Sequence, residues 1–176
     1  MLTAIRKRLR ALAKEERAAT AVEFAMLITP VVSLILASLQ LSIIFFADQV
    51  LQSCAMASGR ELMTGQVQQA GDTQAQFKTV VCNNAPILFT CGNIMVDVQS
   101  ATDYSTLNTT ALTPTYNAQG QVTNTWSYST GGPGDIVILR VMYDWPVVAA
   151  PLFPGLANSN GSHLLVATTV FKNEPY

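Results

Sequence analysis

From Ala18 to Ala47 the chain runs thirty residues with one charge, Glu23, and this stretch decides what kind of protein it can be. Ahead of it stand Arg6, Lys7, Arg8, Arg10, Lys14 and Arg17, and from Ala25 to Ala47 there is no charge. A helix over the 24 residues 24–47, at ~1.5 Å per residue, spans about 36 Å. That is enough to cross a hydrocarbon core of ~30 Å with some tilt. The basic flank sets the orientation: the N-terminus is expected in the cytoplasm and everything after residue 48 in the periplasm. A cleaved secretory signal is the rival, but its apolar region would be ~7–15 residues with a small-x-small site close behind. Here the run is longer, and Ala55-Met56-Ala57 follows the polar stretch Asp48 to Gln52. Pro30 lies early in the span, removes one helix hydrogen bond, and is expected to kink or loosen the helix there.

Glu23 is the exception in this segment. An ionised carboxylate in hydrocarbon costs ~2.5–3.5 kcal/mol on insertion scales, so it calls for a named partner. The plain alternative is that it snorkels to the cytoplasmic headgroups, near Arg17.

Helical spacing continues past the membrane. Val50, Leu51, Cys54, Met56 or Ala57, and Leu62 fall on one face, with Gln49, Gln52, Ser53, Arg60 and Glu61 on the other. One helix from about Ala19 to Thr64 would be ~70 Å long, with stop signals at Gly65 and Gly71. Beyond it, Gln74 to Cys82 reads as a short helix, and Asn93 to Gln99 alternates like a strand. Residues 100–134, rich in Thr, Asn, Ser, Gly and Gln, read as an irregular loop long enough to suggest a contact surface. Asp135 to Trp145 is the strongest strand pattern, with Val137, Leu139, Val141 and Tyr143 on one face and Pro146 ending it. Ser162 to Lys172 is the last strand. The expected fold is α+β: a long N-terminal transmembrane helix extending into a small periplasmic domain with a three- to four-stranded antiparallel sheet. The expected divisions are a basic leader at 1–18, the span at 19–47, a periplasmic helix extension at 48–71, and a head at 72–176.

Composition narrows the function classes. Charged residues are only 12% of the chain, well below the roughly 25% of ordinary soluble domains. The net charge of −1 hides a split: from Ala19 onward four bases face nine acids, a net of −5. Nucleic acid is a poor partner for such a surface, which lacks clustered Lys and Arg. Catalytic signatures are missing too. His163 is the sole histidine, and no HExxH, GxSxG or P-loop is present. Asp97, Asp103, Asp135 and Asp144 fall at strand ends and in loops. The reading is therefore non-enzymatic, with no metal and no cofactor. Cys82 and Cys91 suit a disulfide in an oxidising compartment; metal binding competes, but neither CxxC nor a nearby His accompanies them. Cys54 is left over, as a buried free thiol or an intermolecular link.

The run Arg17-Ala18-Ala19-Thr20-Ala21-Val22-Glu23-Phe24-Ala25, with Pro30 beyond it, resembles a type IV prepilin processing site. Together with Gly134 to Val141, Trp145-Pro146 and the closing Phe171-Lys172-Asn173-Glu174-Pro175-Tyr176, it is most similar to the TadE-like minor pseudopilins of the tight-adherence (Flp) pilus system. That resemblance implies a type IV pilin-like fold and a role in pilus biogenesis or priming. It also implies cleavage between Ala18 and Ala19 by a prepilin peptidase, with Arg17 and Phe24 as the recognition flank. Type IV prepilins usually carry Gly before the cut; here Ala18 stands there. Cleavage would make Glu23 the fifth residue and give Ala19 a new, methylated amine, a cation able to pair with Glu23 of a neighbouring helix. The implied partners are the major Flp pilin, a TadF-like pseudopilin, the prepilin peptidase, the inner-membrane assembly platform and membrane lipid. The rival is a permanently anchored periplasmic binding or adapter protein whose leader is never removed.

Overall fold

The structure, a computed structural model, describes residues 16–85, 87–148, 150, 153–159 and 161–176, with side chains from Thr20 onward. Residues 1–15 of the expected leader and the side chains of Glu16, Arg17, Ala18 and Ala19 lie outside the described residues. Residues up to Gln40 form one compact unit and Leu41–Tyr176 another.

The helix α1 covers Glu16–Met63, with Pro30 inside it. Its hydroxyls turn back onto the helix: Thr29 Oγ1 donates to the Ala25 carbonyl at 2.6 Å and Ser33 Oγ to the Pro30 carbonyl at 2.9 Å. Polar side chains in an apolar stretch are satisfied in this way. The helix is long and apolar enough to cross a membrane, which fits a single-pass membrane protein. The short α2, Gln66–Ala70, sits between left-handed glycines, Gly65 (φ 76°) and Gly71 (φ 68°). Gly71 N–H bonds to Gln68 O and Asp72 N–H to Val67 O, the paired closure of a helix that ends on glycine. The helix α3, Gln74–Asn84, opens with a reciprocal Thr73–Gln76 capping box and runs two residues beyond the expected end.

Three antiparallel strands follow, β1 (Met95–Ala101), β2 (Ile136–Pro146) and β3 (Ser162–Lys172), in the order β1-β2-β3. The α+β expectation holds. β1 starts two residues later than its alternation suggests, because Cys91–Asn93 forms a 3-10 turn and Ile94 N–H bonds to Cys91 O. Asp135 stays outside β2 for a similar reason: its N–H bonds to Gly132 O, and its carboxylate accepts from Gly132 N at 2.8 Å.

One face of the sheet carries Val96, Val98, Val137, Leu139, Val141, Tyr143, Leu165 and Ala167, buried in one cluster with Ile44, Ala47, Leu51, Cys54, Ala55 and Leu62 of α1. The helical stripe differs in detail from the spacing argument. Met56 and Ala57 are both exposed, while Gln52 and Glu61 are partly buried on the packed side. The reason is polar: the Gln52 amide donates to Thr168 O at 3.1 Å and accepts from Thr168 N at 3.2 Å, satisfying one outer position of edge strand β3. Glu61 and Ser58 both accept from Asn84 Nδ2, fixing the last turn of α3 against α1. Gly59 permits the close approach, since a Cβ there would lie 2.9 Å from Thr169 Cγ2 and 3.1 Å from the Phe171 ring.

Candidate functional site

Glu23 and Phe24 are exposed on α1, on the unit ending at Gln40. Ala19 and Glu23 are four residues, about one turn, apart along the same helix. Among the described residues the ion pair is Arg140–Asp97, so no described cation lies beside Glu23. Phe24 and its neighbours Met26 and Leu27 are likewise exposed, an apolar surface around the lone carboxylate. Pro30 interrupts neither the helix assignment nor the hydroxyl contacts on either side of it.

Residues 18–60 match the family model described as TadE-like protein. This segment is TadE-like. It takes in Ala18, Ala19, Glu23, Phe24 and Pro30, and its last residues lie on the part of α1 that packs under the sheet. The match covers 43 of the 176 residues. A comparison with curated proteins and one with solved structures returned no match. The head beyond Arg60 therefore stands on its geometry.

In the head, Cys82 and Cys91 form the expected disulfide, with Cα atoms 5.5 Å apart, joining the last turn of α3 to the turn before β1. Cys54 is a buried free thiol that donates to Val81 O at 3.2 Å. Burial pushes its pKa up, against a smaller opposing effect from Ser58. His163 Nδ1 lies 2.8 Å from Leu156 O, so that nitrogen carries the proton and the ring serves a turn.

The sequence reading missed one feature. Asp97 sits in the middle of β1 directly opposite Arg140 on β2, on the sheet face away from α1. Their side chains are 2% and 5% exposed, with Arg140 Nη1 3.2 Å from Asp97 Oδ2. Asp97 Oδ1 also accepts from Ser127 N at 2.9 Å, and Arg140 Nη2 donates to Asn108 O. The pair thus holds both arms of the 102–134 segment. Ser127 O and Ser129 N bond in turn to the backbone of Val98, covering the outer edge of β1. Tyr128 OH donates to Asp72 O at 3.0 Å, and burial, with a smaller contribution from Asp72, pushes its pKa up to about 12. The segment is irregular, as expected, yet pinned at several points. A lone acid in β1, Asp97, and a lone base in β2, Arg140, were the available signal.

The closing residues act as a clasp. Buried Asn173 donates through Nδ2 to Thr130 O and Gly132 O, and its backbone bonds to Asp135 O and Gly134 N. Glu174 N–H bonds to Met63 O, supplying a donor to an end carbonyl of α1. The Tyr176 ring lies against Gly65, where an added Cβ would meet it at 2.2 Å.

A cleft of about 440 Å³ lined by Gln74, Lys78, Asn124 and Trp126 offers no paired acid and base. Lys78 Nζ donates to Gly92 O, and burial draws its pKa down. Among the described residues no group of His, Cys, Asp and Glu could hold a metal ion.

Proposed function

We propose that this chain is a minor pseudopilin that takes part in biogenesis or priming of a tight-adherence pilus after a prepilin peptidase cuts between Ala18 and Ala19. The observation that carries the reading is the TadE-like match, which begins at Ala18 and continues through Glu23 into the apolar helix. Cleavage leaves an α-amine at Ala19, four residues and one helical turn from Glu23 on the same face. In a parallel bundle, a neighbour shifted by about 6 Å sets its Glu23 level with that amine. Pairing in a low-dielectric setting offsets desolvation of both charges, while a misregistered neighbour leaves both uncompensated. Membrane insertion, the major Flp pilin, a TadF-like partner and the assembly platform belong to the same proposal.

Intact mass and N-terminal sequencing of membrane-purified protein test it. Loss of residues 1–18 with a methylated Ala19 is the expected result. Full-length protein in cells that have the peptidase refutes it in favour of a permanent anchor. Glu23→Gln is expected to abolish piliation while leaving cleavage and head folding intact; unchanged piliation removes the charge-pairing step.

A further inference from the structure

The head ends in an apolar rim at the level where the apolar part of α1 enters it. β3 runs alongside α1 in the same direction: Thr168 meets Gln52, Thr169 and Phe171 meet Gly59, Glu174 meets Met63 and Tyr176 meets Gly65. The start of β3 and the paired end of β2 therefore lie toward Ile44 and Ala47, which share their buried cluster with Tyr143, Val147, Phe89 and Leu165. Phe89 packs at 5.0 Å on Tyr143 and 6.1 Å on Trp145 at this end.

Beside this anchored floor, two large apolar side chains stand fully open near exposed Asp48 and Gln49. Ile87, two residues before Phe89, is 106% exposed, and Val148, next to buried Val147, is 86% exposed. On α1, Ile44 and Ala47 are covered by the head, whereas Phe45 and Phe46, at the same height on other faces, stand open. The helix thus presents an open apolar side at the height where its other side is covered by protein. If the hydrocarbon boundary reaches Phe46, with Asp48 just outside it, the floor of the head sits at the bilayer surface.

We propose that Ile87 and Val148 insert into the headgroup–acyl boundary of the periplasmic leaflet, so that the head rests on the lipid surface. This rests on the single-pass membrane reading of α1. Burial of apolar area drives such contact, and the nearby charges Asp48 and Asp144 are acidic, so anionic lipid is not the attraction.

The test uses the full chain in phosphatidylethanolamine–phosphatidylglycerol vesicles containing lipids brominated near the headgroup or near the chain end. Ile87→Trp and Val148→Trp place probes on exposed positions, Tyr104→Trp places one at the opposite end of the sheet, and Leu34→Trp reports on the span. Quenching is read as the excess over the parent chain, with unchanged thermal melting confirming the fold. The Leu34 probe is expected to be quenched by deep bromine, both rim probes by shallow bromine with a blue shift unaffected by salt, and the Tyr104 probe by neither. Rim probes that behave like the Tyr104 probe, while Leu34 is quenched, overturn the lipid contact alone; this includes the case in which the rim meets a protein. An unquenched Leu34 probe overturns the membrane reading and the proposal together.

Discussion

Removing the carboxylate of Asp97 tests whether the buried pair holds the head together or merely occupies it. In Asp97→Ala the Arg140 guanidinium stays inside the sheet face with no counter-charge, held by its hydrogen bond to the Asn108 carbonyl. Breaking a buried pair from one side costs about 3–5 kcal/mol, and the Ser127 N–H, held at 2.9 Å by Asp97, also loses its acceptor. Because Ser127 is exposed, water replaces that acceptor and little is added. Against a domain stability of roughly 5–15 kcal/mol, this loss is large enough to unfold a marginal head. The double variant Asp97→Leu, Arg140→Met removes both charges, so it should fall within about 1–2 kcal/mol of wild type or exceed it. Urea titration of the full chain in micelles measures both, with Trp126, next to Ser127, as a local reporter. Limited proteolysis between residues 102 and 126 should accelerate in both variants, since both lose the Ser127 and Asn108 anchors. If Asp97→Ala costs under about 1 kcal/mol, or the double variant is as unstable as the single one, the uncompensated-charge argument is wrong.

Gly65→Ala forces a left-handed conformation worth about 1–2 kcal/mol on an L-residue and drives a methyl into the Tyr176 ring. Melting should fall, and adding Tyr176→Ala should recover the steric part but not the backbone part. Converting Cys82 and Cys91 to serine opens a loop of sequence separation 9, a loss of about 2–3 kcal/mol by chain entropy that a urea midpoint will register. Raising the pH should weaken the head through Tyr128: its folded pKa of about 12 lies above the ordinary value of 10.0, so its contribution is whole below pH 10 and is lost between pH 10 and 12. Tyr128→Phe should flatten that part of the stability–pH curve; an unchanged slope refutes the assignment.

The sequence made the architecture legible where one period dominated. The apolar stretch after the basic flank, the alternation of Val137, Leu139, Val141 and Tyr143, and the glycines at 65 and 71 each specify local structure without help from distant residues. What escaped it depended on partners far along the chain. Gln52 and Glu61 read as solvent-facing by helical spacing, yet Thr168 and Asn84 draw them to the packed side. Asp97 read as an acid near a strand end because its cation lies 43 residues away, in a register that only the folded sheet defines. The proposed cleavage and pairing residues depend on no distant partner in the chain: Ala18, Ala19 and Glu23 lie within one short motif, inside the segment that matches the family model.

The clasp formed by Asn173, Glu174 and Tyr176 also sets a timetable. The contacts that fasten the head to α1 join residues as far apart as Gln52 and Thr168, 116 positions along the chain. Such distant closures are slow, because the intervening chain must be ordered before they contribute. The upper part of α1 emerges first from synthesis and has no lasting cover until β3 and the four residues after it have been delivered. The head accordingly closes only once β3 and the residues after it are available, with Leu51, Cys54 and Leu62 exposed in the interval. During that time these apolar side chains are open to proteases, and deleting Asn173 to Tyr176 should leave them so permanently.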